Sequence, residues 1–273
     1  MKRSIGRRTW SGWAARGSVA LALILAGATA TQDCRAQAVT PHEALEDAKL
    51  YFTAPVRWDA RDWLAFGGSL AAVAVAHEFD DDVRDHFVGG RADQGLGKGD
   101  SHGADDALPA AVLVAGTWVL AGITHDRGGY RELGSMLEAA GLSVVTAELL
   151  KLSLGRQRPN ETADPDQWFK SGNSFPSSHA TAAFAIGTVF AESGDDRYRW
   201  LRRVVGYGVA GGTAWLRLDH NAHWTSDVIA GAALGVSTAR FTLRRRTGQS
   251  TDATTMITPL EGGLLLTYTR PLR

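Results

Sequence analysis

Six long apolar blocks, rich in Ala, Leu, Val and Gly, constrain this chain more than any other feature. They lie near residues 63–76, 108–124, 136–154, 179–191, 204–216 and 228–242. Each is too long for an ordinary strand, so length favours helix. Pro109 is the one proline inside them, and it stands in a first turn, where proline is tolerated. Turn-forming clusters separate the blocks: Asp80-Asp81-Asp82, Gly89-Gly90, Gly128-Gly129 and Ser193-Gly194-Asp195-Asp196. The pattern predicts an all-α, six-helix bundle. At 273 residues, with 44% hydrophobic content, one domain with a sizeable core is expected.

The ends differ from this helical body, taken as residues 39–247. Lys2, Arg3, Arg7, Arg8 and Arg16 form a basic front, and residues 18–30 are apolar. Ala36-Gln37-Ala38 fits a small-residue cleavage site, so residues 1–38 read as a signal peptide, with an uncleaved anchor as the alternative. Arg7-Arg8 fits twin-arginine export poorly. Cys34 is the single cysteine, so a chain cut after Ala38 holds no disulfide. The tail, residues 248–273, carries two short runs of strand formers, 256–258 and 264–269, around Pro259, Glu261, Gly262 and Gly263. A small β-hairpin and an unstructured tail are both compatible with it.

Lys+Arg and Asp+Glu balance at 29 each, which gives no reason to expect a nucleic acid partner. Most of the blocks are shorter than the roughly 20 apolar residues of a membrane span, and mean hydropathy is −0.13. Arginine clusters after the fourth and sixth blocks would face the cytoplasm if the bundle spans with its N-terminus inside. A cleaved signal would put that N-terminus outside, so six spans and a cleaved signal conflict. Either one of the two readings is wrong, or the bundle is a periplasmic one that rests on the membrane.

Three segments carry residue types that sit oddly beside apolar helices. The first runs Lys151-Leu-Ser-Leu-Gly-Arg-Gln-Arg158-Pro159. A lysine in an apolar helix needs a partner, and Lys151 and Arg158 could converge on one oxyanion at a helix end. The second is Ser174-Phe175-Pro176-Ser177-Ser178-His179, a good helix opening whose free N–H groups form an anion site. The third, Arg217-Leu-Asp-His-Asn-Ala-His223-Trp-Thr-Ser-Asp227, spaces His223 and Asp227 four apart, on one helical face. A carboxylate bound to one ring nitrogen leaves the other free to attack. Each segment alone has a plainer reading: C-terminal helix charge, an N-cap, a surface hydrogen bond. A zinc site of His220, His223 and Asp227 also competes, although three cations around that centre would repel a metal. In an up-and-down bundle the three segments fall at the same end and can meet.

Their order and spacing resemble the type 2 phosphatidic acid phosphatase and vanadium haloperoxidase superfamily, whose pattern is K-x6-R-P, then P-S-G-H, then S-R-x5-H-x3-D. Lys151, Arg158 and Pro159 complete the first motif. Pro176, Ser177, Ser178 and His179 give the second, with Ser178 in place of glycine. Leu216, Arg217, His223 and Asp227 give the third, with Leu216 in place of serine. The resemblance implies that Lys151, Arg158, Arg217 and the N–H groups near Ser177 and Ser178 bind phosphoryl oxygens. It implies that His223 attacks phosphorus, Asp227 orients His223, and His179 protonates the leaving oxygen. No metal and no cofactor are implied.

The expected activity is hydrolysis of phosphate or diphosphate monoesters, with a phosphorylated lipid or small phosphate ester as partner, at the periplasmic side of the cell envelope and in association with membrane. A broad-specificity periplasmic acid phosphatase and a vanadate-dependent haloperoxidase are alternatives, and a non-catalytic phosphate-binding protein is a third class. The run His77, Glu78, Asp80, Asp81, Asp82, Asp85 and His86 reads as a solvated loop, with a metal site as the alternative.

Overall fold

The computed structural model describes residues 41–89, 105–194, 196–246, 254–260 and 263–269. The segment read as a signal peptide, Cys34 included, lies outside the described residues. Among the described residues there are eight α-helices: α1 (Pro41–Phe52), α2 (Ala60–His77), α3 (Asp80–Val88), α4 (Leu108–Thr124), α5 (Arg127–Leu154), α6 (Ser178–Glu192), α7 (Arg199–Asp219) and α8 (Thr225–Arg246). Strands β1 (Thr254–Leu260) and β2 (Gly263–Thr269) pair antiparallel, with Thr254 opposite Thr269.

The six-helix expectation is therefore corrected to eight. Each apolar block lies on a helix, α2 and α4 to α8, but α1 and α3 lie on none of the blocks. Both are too polar for a hydrophobic-block criterion: α1 reads PHEALEDAKLYF, and α3 opens with three aspartates. Acidic residues in a first turn favour the helix N-terminus, so the run read as a solvated loop is helical instead.

Capping explains several boundaries. Asp59 caps α2 in a reciprocal box with Asp62. Asp126 accepts from the Gly128 and Gly129 N–H groups to open α5. Gly155, at φ +52°, ends α5 in the left-handed conformation that glycine adopts without a Cβ penalty.

Helix α6 is central and packs against α5, α7 and α8. Its small residues let backbones touch. A Cβ on Gly187 would stand 2.4 Å from the Gly206 carbonyl oxygen of α7, and one on Gly235 of α8 would stand 2.3 Å from that of Thr181. Met136, Ala139, Ala183, Ile186, Val189, Ala210 and Ala239 fill the core between these helices. The outer faces are apolar too: Leu64, Val112, Leu120, Ile123, Leu152 and Val204 are exposed. Two stretches, Asp105–Thr124 and Arg127–Leu154, are long and apolar enough to cross a membrane.

Candidate active site

All three segments meet at one end of the helices. The first begins on the last turn of α5, which carries Lys151, and its remainder is held by backbone pairing. Past Gly155 the chain turns back, and residues 167–174 strap it in place: Gln157 N–H donates to Gln167 O (2.9 Å), Lys170 N–H to Gly155 O (2.9 Å) and Ser174 N–H to Arg156 O (2.9 Å). Gly172 lies so close that a Cβ there would be 2.1 Å from the Arg156 carbonyl oxygen. The second segment is tied to the third by the Ser177 N–H, which donates to the Asp227 carbonyl (3.0 Å). Ser177 then caps α6, its hydroxyl accepting from the Ala180 N–H. In the third, Asn221 takes a left-handed conformation (φ +51°) that turns the chain from α7 toward α8.

Lys151, Arg158, Ser177, Arg217, His223 and Asp227 are all buried; Ser178 and His179 are partly exposed. Buried cations require partners, and carboxylates stand behind several of these. Lys151 Nζ donates to Glu148 Oε1 at 3.2 Å. Arg217 pairs with Asp106, which also meets His220 Nδ1 at 3.0 Å. Arg158 Nε donates to Asn173 Oδ1 at 2.8 Å. Ser178 Oγ donates to Glu148 Oε1 at 2.6 Å. His220, weighed as a zinc ligand, is thus engaged with Asp106.

His223 is the centre of this charge distribution. Burial, then the positive charges of Arg158, Arg217, Lys151 and His179, hold its imidazole well below the ordinary value of 6.5. It is therefore neutral at physiological pH. Its Nδ1 faces Asp227 Oδ2 at 3.6 Å, longer than a hydrogen bond. Asp227 is itself fixed by three donors: Arg156 Nη1 at 2.7 Å, Ser174 Oγ at 2.5 Å and the Trp224 N–H at 2.9 Å. Burial pushes the Asp227 carboxyl up, and these donors oppose that shift. The arrangement presents a neutral imidazole among cations and helix N–H groups, the electrostatic complement of a phosphate.

Several site residues went unrecognised in the sequence. Arg156 lies inside the first motif, fully buried between the Trp168 and Trp224 rings, at 4.5 and 5.3 Å from their centroids. Ser174 opens the second segment. Both had a signal in their position, a second arginine two residues from Arg158 and a serine just before Phe175-Pro176. Glu148 stands three residues before Lys151 on the same apolar helix, a spacing that pairs side chains, whereas Asp106 had no signal beyond proximity to an apolar helix. The acidic run contributes as well: Arg156 Nη2 donates to Asp80 Oδ2 (2.7 Å), and His77 Nδ1 lies 2.9 Å from the same oxygen. Burial pulls the His77 imidazole down, but its bonds to Asp166 and Asp80 outweigh that and raise it.

Lys151, Arg158, His179, Arg217, His223 and Asp227 thus lie together at one end of the helical body, an arrangement suited to an anion. Residues 132–249 match the PAP2 superfamily. Among curated proteins, the Lipid A 1-phosphatase of Porphyromonas gingivalis is 32% identical over 172 residues, which is 61% of this chain and 35% of that protein. The chain thus spans about a third of the length of that relative. No solved structure matches the chain.

Proposed function

We propose that this chain is a phosphatase acting on phosphate or diphosphate monoesters through a phosphohistidine at His223. One observation carries the reading: His223 is buried and neutral among four cationic groups, with its Nδ1 toward a fixed carboxylate. That leaves Nε2 as the nucleophile. In the first step the Nε2–P bond forms and the ester P–O bond breaks, with His179 giving its proton to the leaving oxygen. In the second, water loses a proton to His179 and attacks phosphorus, the P–N bond breaks and phosphate leaves. Lys151, Arg158, Arg217 and the N–H groups near Ser177 and Ser178 hold the phosphoryl oxygens in both steps. Asp227 orients His223; its 3.6 Å separation shortens to a hydrogen bond as the imidazole becomes charged.

The substrate class we assign is lipid phosphate. Supporting it are the exposed apolar faces of α2, α4 and α7, the two helices of membrane-spanning length, and the likeness to a phosphatase named for lipid A. We assign the chain to the membrane of the cell envelope, with the pocket on the periplasmic side.

The test is phosphate release by the purified full-length chain from a panel of lipid and soluble phosphates. Turnover is expected with lipid phosphates, lost in His223→Ala and preserved in EDTA. Activity of His223→Ala equal to the parent, or loss in EDTA restored by zinc, overturns the scheme. Activation by vanadate, with halide oxidation by peroxide, would assign the pocket to haloperoxidase chemistry instead.

A further inference from the structure

Asp80 lies outside the region that matches the family, on the short helix α3, yet it reaches the heart of the site. Its carboxylate is fully buried. Oδ1 accepts from the Ser226 N–H at 2.8 Å; Oδ2 accepts from Ser226 Oγ at 2.6 Å and from Arg156 Nη2 at 2.7 Å. Ser226 adjoins Asp227 in the first turn of α8. Asp80 therefore takes an N–H at the start of α8 from 146 residues away, the work a local N-cap usually does.

Arg156 is shared. Its Nη1 edge donates to Asp227 Oδ1 and Ser226 Oγ, both at 2.7 Å, and its Nη2 edge serves Asp80. The guanidinium, Asp80 and Asp227 are all without solvent exposure. Paired with Asp227 alone, Arg156 would cancel the negative charge that His223 needs when phosphorylation makes its imidazole cationic. With Asp80 as a second anion, itself also met by His77 Nδ1 at 2.9 Å, Arg156 is divided between two carboxylates, and Asp227, which faces His223 Nδ1, is not neutralised by it alone. Geometry and charge both run from Asp80 to the reacting imidazole.

We propose that Asp80 is a positioning residue for His223: through Arg156 and Ser226 it fixes Asp227 and leaves that carboxylate its charge. The proposal rests on the assignment of His223 as nucleophile. It also gives α3, a helix the apolar blocks did not announce, a role in the reaction.

The experiment uses the full-length protein in detergent with para-nitrophenyl phosphate. Asp80→Asn, nearly isosteric, is expected to lower kcat about 10- to 100-fold, the range found when a second-layer partner is lost, while KM changes less than about threefold. In an Arg156→Gln background the same substitution should cost less than about threefold further, because coupled residues are not additive. Unchanged kcat, a change confined to KM, or full multiplication with Arg156→Gln overturns the proposal. If Asp80→Asn fails to fold, as judged by melting and gel filtration, Ser226→Ala carries the test. It removes the hydroxyl linking Asp80 to Arg156, and kcat should drop severalfold at constant KM; unchanged kcat overturns the proposal. Should His223→Ala keep its activity, the nucleophile assignment itself has failed; should it be inactive while Asp80→Asn is normal, only the role of Asp80 has.

Discussion

Gly231→Ala should separate the geometry of the site from the stability of the fold. Gly231 stands one turn after Asp227 on α8. A Cβ there would lie 2.7 Å from the Ser177 carbonyl oxygen, 3.0 Å from Thr181 Oγ1 and 3.2 Å from the Thr181 nitrogen. Carbon and carbonyl oxygen ordinarily approach no closer than about 3.3 Å, so the start of α6 must withdraw from α8 by roughly half an ångström or more. That strains the Ser177 N–H to Asp227 O bond (3.0 Å), which links the start of α6 to the residue facing His223. Overpacking of this kind costs about 1–3 kcal/mol. Alanine recovers about 1 kcal/mol of helix propensity. The net loss is about 0–2 kcal/mol, a fall of several degrees in Tm at most for a chain of this size. Activity should suffer far more, since a misplacement of about 1 Å can cost about 100-fold.

The assay pairs kcat/KM for phosphate release with a thermal melt. Gly208→Ala is the control: it lies on α7 with nothing within 4 Å of its Cβ, so both activity and Tm should hold or Tm should rise slightly. Full activity in Gly231→Ala would show that the α6–α8 spacing does not set the reacting geometry, and the argument from close backbone approach would fail.

Two other outcomes follow from the charges. His223 titrates well below 6.5 in the folded state, so the unfolded chain takes up its proton first as pH falls. Stability should therefore drop by up to about 1.4 kcal/mol per pH unit below pH 6.5 until the folded value is reached, and this part of the slope should vanish in His223→Gln, as measured by denaturation at a series of pH values. Asp106→Asn leaves Arg217 without its buried anionic partner, and chemical denaturation should show a loss of about 3–5 kcal/mol; a loss below about 1 kcal/mol would show that this pair does not hold the end of α7.

What was legible in the sequence was the part written locally. The apolar blocks mark α2 and α4 to α8 because hydrophobic burial needs a continuous stretch. The three motifs could be placed at one end from connectivity alone, and His223 does lie electrostatically within reach of Lys151, Arg158, His179 and Arg217. Helices α1 and α3 were hidden because their polar residues pair with distant ones: Asp47 of α1 with Arg245 of α8, and Asp80 of α3 with Arg156. Asp106 is 111 residues from the arginine it holds. Such pairings obey no period, so no spacing rule reveals them.

The supporting carboxylates also bear on the two departures from the family motifs. Three cations gathered around one anion site would repel one another and resist burial. In this chain two of them have an acid placed behind them, Glu148 behind Lys151 and Asp106 behind Arg217, and Asp80 and Asp227 likewise flank Arg156. Ser178, where the family has glycine, belongs to this scheme, because its hydroxyl donates to the same Glu148 oxygen that holds Lys151. The side chain points to the supporting acid, so its N–H can still face phosphate. Leu216, where the family has serine, is partly buried on α7 beside an arginine that Asp106 already fixes. Both substitutions lie beside cations that carboxylates outside the motifs hold, while the motif positions His223, Arg158 and His179 are unchanged.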